Sequence, residues 1–411
     1  MNKPIPNRTY DAIVIGAGIA GVAAIKAIKN NGLSNFLVID DAPGPAMGTS
    51  GHDHALCHPY IGRGASRLQR LSMMAFNEAQ KVWASHWMGS GVFHLSRDVQ
   101  NFNKEEMSER LLSQGFNQYN AQPLWPEEAK QIAGISVAGT FFPEGGWVSL
   151  KKICEDAFMS LQDEQKQMST MVQKIERCNG LWQVYDTKHD LIGASQRVFL
   201  TSGLGVRSLL DQLGFKLPLK PVRGQLSSFG YLEKSSWATC QPKVALSGKA
   251  YCLPPKQLED QSYVWNVGST YDENNDDLNP WVSSDEENLE LIQEMLNENL
   301  NPKEIKAVGS FVGIRCVAND RLPIMGPVIG YPGLYTLTAL GSRGVMWSAL
   351  ACQLFTEHLA EEMRHSAFLD ARFFAGARLA AAGLSEDLVS ALLPARFLAG
   401  TSNSKPIFPS A

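Results

Sequence analysis

The chain has 411 residues, 44% hydrophobic and 19% charged, which is the make-up of a globular protein too long for one core, so two domains are expected. A net charge of −4 gives no global footprint for nucleic acid, although it leaves room for a local basic patch. Seven cysteines without a C-x-x-C pair argue against a disulfide framework or a zinc site and point to a reducing, cytoplasmic setting.

Met1 to Tyr10 carries no apolar core of a signal peptide, and no apolar run approaches a membrane span. The first element follows in "YDAIVIGAGIAG", Tyr10 to Gly21. Ala12 to Ile15 reads as a strand buried on both faces of a parallel sheet. Gly16, Gly18 and Gly21 form G-x-G-x-x-G, with Ile19 and Ala20 between them. This pattern allows a tight turn, close approach of a pyrophosphate and close helix packing. Val22 to Lys29 is predicted as a helix whose positive end faces the phosphates. A second strand, Phe36 to Ile39, ends at Asp40, the expected ribose-hydroxyl acceptor, with Asp41 as a one-residue alternative. From this stretch alone NAD and FAD both remain open.

"GTSG" at Gly48 to Gly51 comes next, then His52, His54, Cys57 and His58. Their spacing fits no standard zinc site, so no metal is assigned. Further along stand "GGWVSLKKIC" (Gly145 to Cys154), Val172 in "STMVQKIE", and "VFLTSG" (Val198 to Gly203). After these come "RGQ" (Arg223 to Gln225), "VGSTYD" (Val267 to Asp272), "GIRCVANDRLPIMG" (Gly313 to Gly326), "ALGSRG" (Ala339 to Gly344) and "LLPARF" (Leu392 to Phe397). Between them, "QLSSFGYL" and "SYVWNVGSTY" read as antiparallel strands. Ser283 to Leu300 reads as a serine-capped helix. The acidic run "YDENNDDLNPWVSSDEEN" lacks the central glycine of a calcium loop and reads as a solvated face. Residues 376–411 read as a helical tail, broken near Gly383.

Taken together these strings resemble the D-amino-acid-oxidase-like superfamily of FAD-dependent oxidoreductases. Within it they are most similar to the FAD oxidoreductase domain of the MnmC family of tRNA-modifying proteins. The resemblance implies an α/β fold, a Rossmann-like FAD-binding domain interleaved with an antiparallel-sheet (α+β) substrate domain as in glycine and sarcosine oxidases. The FAD-binding segments would be 8–85, 160–220 and 331–375, and the substrate segments 86–159 and 221–330. FAD would be held without a covalent bond. Thr49, Ser50 and Gly51 would run alongside the flavin, Val172 would meet the adenine, and Ser202 and Gly203 the pyrophosphate. Gly341, Ser342, Arg343, Gly344 and Val345 would face the flavin pyrimidine oxygens.

Arg315 is the anomaly in an otherwise apolar strand, since a buried guanidinium is costly without a partner. The resemblance makes it the residue that grips a substrate carboxylate through two hydrogen bonds; the competing reading pairs it with Asp320. His52 would orient substrate or manage a proton near neutral pH. Arg343 is left open between substrate phosphate, a partner acid and the flavin. Cys316 reads as a packing residue.

The implied reaction is cleavage of the C–N bond of a carboxymethylamino group in 5-carboxymethylaminomethyl(2-thio)uridine at the tRNA wobble position. Hydride would pass to flavin N5, leaving 5-aminomethyluridine and glyoxylate, with molecular oxygen as acceptor. A separate methyltransferase would be a partner, because the family's methyltransferase half is not seen here. Candidate tRNA contacts are Arg63, Arg67, Arg70, Lys151, Lys152, Lys216, Lys220 and Arg223. Two alternatives stay open: a small-molecule amine or amino-acid oxidase, and a flavin-binding assembly protein without turnover.

Overall fold

The structure is a computed structural model that describes residues 8–365 and 384–398, apart from 90, 99, 297 and 299. The expected tail helix lies outside the described residues up to 383; within 384–398 there is a short helix, Glu386–Ser390, and a 3₁₀ turn, Pro394–Phe397.

Strand β1 (Ala12–Ile15) is buried at all four positions, as its unbroken apolar run requires. Helix α1 (Ile19–Asn30) starts three residues earlier than predicted, because Gly21 is already helical. A methyl group at Gly21 would lie 2.0 Å from the Gly16 carbonyl oxygen, so only glycine lets the helix pack this close. Strand β2 (Phe36–Ile39), helix α2 (Arg67–Val82), β3 (Lys166–Gln167) and β4 (Val198–Leu200) follow. Two long strands come next, β5 (Leu219–Leu232) and, beyond β6 (Ser262–Gly268) and helix α3 (Val282–Leu296), β7 (Ile305–Ala318). The chain closes with β8 (Ile324–Pro327), β9 (Leu334–Thr338) and helix α4 (Gly344–His365).

The first sheet has six strands in the order β8-β9-β4-β1-β2-β3, parallel except for β8. β8 falls in a segment assigned from sequence to the substrate domain, but its pairing puts it in the parallel sheet. Helices α1, α2 and α4 cover one face through Val22, Ile25, Leu71, Phe76, Leu350 and Phe355. The other face is closed by Trp182, Val184, Leu209 and their neighbours.

The second sheet is built around β5, which pairs antiparallel with β7 on one side and with β6 on the other. Leu219 and Ala318, at one end of the β5–β7 ribbon, are buried in the core under the parallel sheet. Phe229, Tyr231 and Ile305, at the other end, are buried in a separate core with Trp237 and Trp265. The ribbon therefore ties the two cores together. Its midpoint, where Gly224 faces Gly313 and Val222 faces Arg315, lies at their junction.

One expectation fails here. Arg223, proposed as a tRNA contact, is fully buried. Its guanidinium pairs with Asp272 at 3.0 Å and donates to the Asp277 carbonyl (3.0 Å), the Asn279 carbonyl (2.7 Å), Gln225 Oε1 (2.8 Å) and Ser284 Oγ (3.2 Å). The Trp281 ring lies 3.9 Å from its central carbon. The acidic run is thus a strap whose inner side closes over Arg223, while Glu273, Asp276 and Glu286 stay exposed as the solvated face expected of it. Helix α3 starts at Val282, so Ser284 is buried in its first turn. Arg223→Ala is expected to cost about 3–5 kcal/mol, because it leaves Asp272 and several carbonyls without their donor. Chemical denaturation of the purified protein checks this; a change under about 1 kcal/mol would mean the strap stands without its arginine.

Candidate active site

The cofactor end lies at the carboxyl edge of the parallel sheet, where ligands of open α/β sheets bind. Gly16 has φ +119°, and a methyl group there would lie 2.7 Å from the Thr201 carbonyl carbon. Gly18 caps α1 without a side chain, and a methyl group there would come within 3.1 Å of Ser50 Oγ. These glycines leave a cradle of backbone that any side chain would fill. Ile19 N–H donates to Ser50 Oγ at 3.0 Å, which fixes the Gly48–Gly51 loop beside the helix start. Asp40 turns into the same place, accepting from Ala17 N–H (2.6 Å) and Ala42 N–H (2.9 Å), whereas Asp41 is exposed. Burial pushes the Asp40 pKa up, against the pull of those two amides. Thr170 N–H donates to the Asp40 carbonyl at 2.9 Å, so Val172 follows just beyond the acid. Thr338 Oγ1 donates to the Gly203 carbonyl at 2.8 Å, which holds the Ser202–Gly203 turn against the end of β9. The donor set and the glycine cradle fit a dinucleotide.

The other end is built on β7. Thr49 Oγ1 donates to the Ile314 carbonyl at 2.6 Å, laying the Gly48–Gly51 loop along the strand. Gly341 N–H donates to the Cys316 carbonyl at 3.0 Å, bringing the Gly341–Val345 turn to the next residues. Both loops expected beside the flavin therefore flank Arg315.

Arg315 Nη1 donates to the Thr270 carbonyl (3.2 Å) and the Arg223 carbonyl (3.4 Å), and Nη2 donates to Ser269 Oγ. Tyr271 lies with its ring 5.6 Å from the guanidinium carbon. No carboxylate among the described residues pairs with Arg315. Asp320, the competing partner, is held by Arg396 at 2.7 and 3.1 Å. The charge is half-buried, and that burial lowers its pKa, while Tyr251, Tyr271 and Asp272 offset the effect. Arg343 is similar: its guanidinium lies over Tyr60 at 5.2 Å and pairs with no carboxylate among the described residues.

The three histidines do not stay together. His52 lies against Phe311, with ring centroids 5.5 Å apart. Burial first, then the charges of His54 and Arg315, push its pKa down to about 4. Its Nδ1 accepts His54 N–H at 3.4 Å, so the neutral ring carries its hydrogen on Nε2, and the low pKa argues against proton uptake near neutrality. His54 contacts Asn266 at 3.3 Å and accepts Tyr251 O–H on its carbonyl at 2.7 Å. His58 leaves this group for Ser247. Cys316 Sγ packs 3.3 Å from Thr338 Oγ1, and burial raises its pKa.

Sequence reasoning gave no role to Tyr60, His94, Ser247, Tyr251 or Ser269. Strand pairing brings His94 and Tyr251 to Ser247, and Tyr60 arrives on a loop under Arg343. Four of the basic candidates have surface acid partners. Arg67 and Arg70 both pair with Asp387, Lys152 with Asp156, and Lys151 reaches Glu155 at 4.0 Å. Arg63, Lys216 and Lys220 remain exposed without a carboxylate partner among the described residues.

Residues 11–358 match the family model DAO, FAD dependent oxidoreductase. The chain belongs to this family. As a DAO-family oxidoreductase it takes FAD, which closes the choice left open by the glycine motif. It is 30% identical over 350 residues to the tRNA 5-methylaminomethyl-2-thiouridine biosynthesis bifunctional protein MnmC of Thiobacillus denitrificans, covering 82% of this chain and 54% of that protein. The MnmC of Idiomarina loihiensis is 29% identical, with 84% and 56% covered. The DAO-family chain thus spans about half the length of these relatives. Among solved structures, glycine oxidase from Geobacillus kaustophilus shares the fold with a TM-score of 0.67 at 16% identity, over 88% of this chain and 96% of that one. L-proline dehydrogenase from P. horikoshii does so with a TM-score of 0.70 at 15% identity, over 96% and 99%. Among the described residues no helix is long and apolar enough to cross a membrane.

Proposed function

We propose that this chain oxidises the C–N bond of a carboxymethylamino group in 5-carboxymethylaminomethyl(2-thio)uridine at the tRNA wobble position. The products are 5-aminomethyluridine and glyoxylate. The observation that carries the reading is Arg315, a half-buried guanidinium between the two loops expected beside the flavin, with no carboxylate partner among the described residues. A carboxymethylamino group is an N-substituted glycine, and its carboxylate supplies the missing charge.

Bound FAD supplies the two-electron acceptor. Arg315 holds the carboxylate and so fixes the adjacent methylene. Ser269 and the Thr270 carbonyl hold the guanidinium in place. His52, neutral at pH 7, adds no positive charge to repel a protonated amine or compete for the carboxylate. Water then splits the imine of the substrate into amine and aldehyde. Oxygen serves as final acceptor, the setting is cytoplasmic, and a separate methyltransferase acts on the amine product. The relatives named for tRNA thiouridine biosynthesis support the substrate.

A free amine or amino acid is the second reading. It is favoured by the loss of Arg67, Arg70 and Arg223 as free basic contacts. Anaerobic mixing separates the two. tRNA carrying the modified wobble base is expected to bleach the flavin, while glycine, sarcosine and proline leave it oxidised. Bleaching by a free amino acid with tRNA inert would overturn the first reading.

A further inference from the structure

A chain of hydrogen bonds beside Arg343 has a direction, and the direction settles which atoms are bare. Strands Val92–Leu95 and Ala245–Ser247 run parallel, with His94 opposite Ser247. His58 reaches the same serine from the loop after Cys57. His58 Nδ1 lies 2.9 Å from the Pro59 carbonyl oxygen. A carbonyl cannot donate, so Nδ1 carries the hydrogen. Burial, with the charges of His94 and Arg343, holds His58 well below its usual pKa, so its Nε2 is a lone pair. Ser247 Oγ, 2.8 Å away, must donate to it. A hydroxyl has one hydrogen, so His94 Nδ1, at 3.2 Å, must donate to Ser247. Burial pushes His94 down to about 4, so it is neutral too, and its Nε2 is bare.

That Nε2 has no hydrogen-bond partner among the described residues, and His94 is only half-buried. The His94 ring lies 5.3 Å from that of His58, which stands two residues before Tyr60, the residue under the Arg343 guanidinium. The guanidinium lies over Tyr60, two residues beyond His58, and makes no hydrogen bond within the described residues. A fixed acceptor and a free donor thus flank the His58–Tyr60 segment.

We propose that His94 Nε2 and the Arg343 guanidinium together bind an imide edge, O=C–N–H, and that the edge is the N3–H and neighbouring carbonyl of the substrate uracil. This rests on the reading of the substrate as a modified uridine. A cytosine edge would set its N3 lone pair against that of His94 and its amino group against Arg343, so the pair selects uracil. Ser247 and His58 are positioning residues: they hold His94 in the tautomer that accepts.

Two measurements test it. Nitrogen-15 NMR of imidazole-labelled holoprotein is expected to show both His58 and His94 protonated at Nδ1 and bare at Nε2; a protonated Nε2 on His94 overturns the proposal without any variant. The second compares RNA hairpins carrying the modified wobble base with and without an N3-methyl group. N3-methylation is expected to raise Kd and KM about tenfold or more for wild type, at little change in kcat, and His94→Ala to bring that ratio under about threefold. Ser247→Ala, which frees the tautomer, should fall between. Equal oxidation of both hairpins by wild type would overturn the imide site and leave the substrate reading intact. Tenfold discrimination in binding without flavin reduction would do the reverse.

Discussion

Arg315→Ala is expected to lower kcat/KM for a carboxymethylamino substrate by about a thousandfold, with flavin content unchanged. Losing one partner of a buried, hydrogen-bonded charge pair typically costs 2–5 kcal/mol, and about 4 kcal/mol corresponds to that factor. The effect should fall on the rate of anaerobic flavin reduction as well as on KM, because the guanidinium also places the methylene that is oxidised. Arg315→Lys keeps the charge but not the planar fork, and should recover only part of the loss. Stopped-flow reduction of the purified holoprotein reads all of this. A variant that reduces at the wild-type rate would show that Arg315 serves the β5–β7 junction, not the substrate.

Gly224→Ala should reproduce much of that loss without touching the arginine. A methyl group at Gly224 would lie 2.3 Å from both Nη1 and Nη2 of Arg315. The guanidinium has to move off Ser269 and the Thr270 carbonyl, and as the far end of a long side chain it gives before the backbone does. A displacement of about 1 Å in a positioning group costs on the order of a hundredfold in rate. Stability should change by less than about 1 kcal/mol, which separates this variant from Arg223→Ala. In the Arg315→Ala background the glycine substitution should add little, because both act on one group. Full additivity in that double variant would mean that Gly224 serves something other than the guanidinium.

The contrast between Arg223 and Arg315 shows how far sequence reading reaches. Both stand in apolar strands, and both strings were noticed. One guanidinium is held by Asp272 and a strap of carbonyls; the other meets no acid among the described residues. Nothing within a few residues of either arginine tells them apart. Likewise Arg67 and Arg70 read as a free basic face until Asp387 arrives from the far end of the chain.

The sequence by itself determined the parallel sheet and its cofactor cradle. The strand, the three glycines, the helix and the acid lie within about 30 residues, and their chemistry is a matter of local backbone and of where a Cβ fits. It also marked Arg315 as a charge in need of a partner. Only the tertiary structure decided which charges are already paired, which histidine keeps a bare nitrogen and which glycine makes room for the guanidinium. Those answers depend on register between strands that are distant in sequence, Gly224 on Gly313 and His94 on Ser247, and on a hydroxyl's single hydrogen, none of which a local pattern encodes.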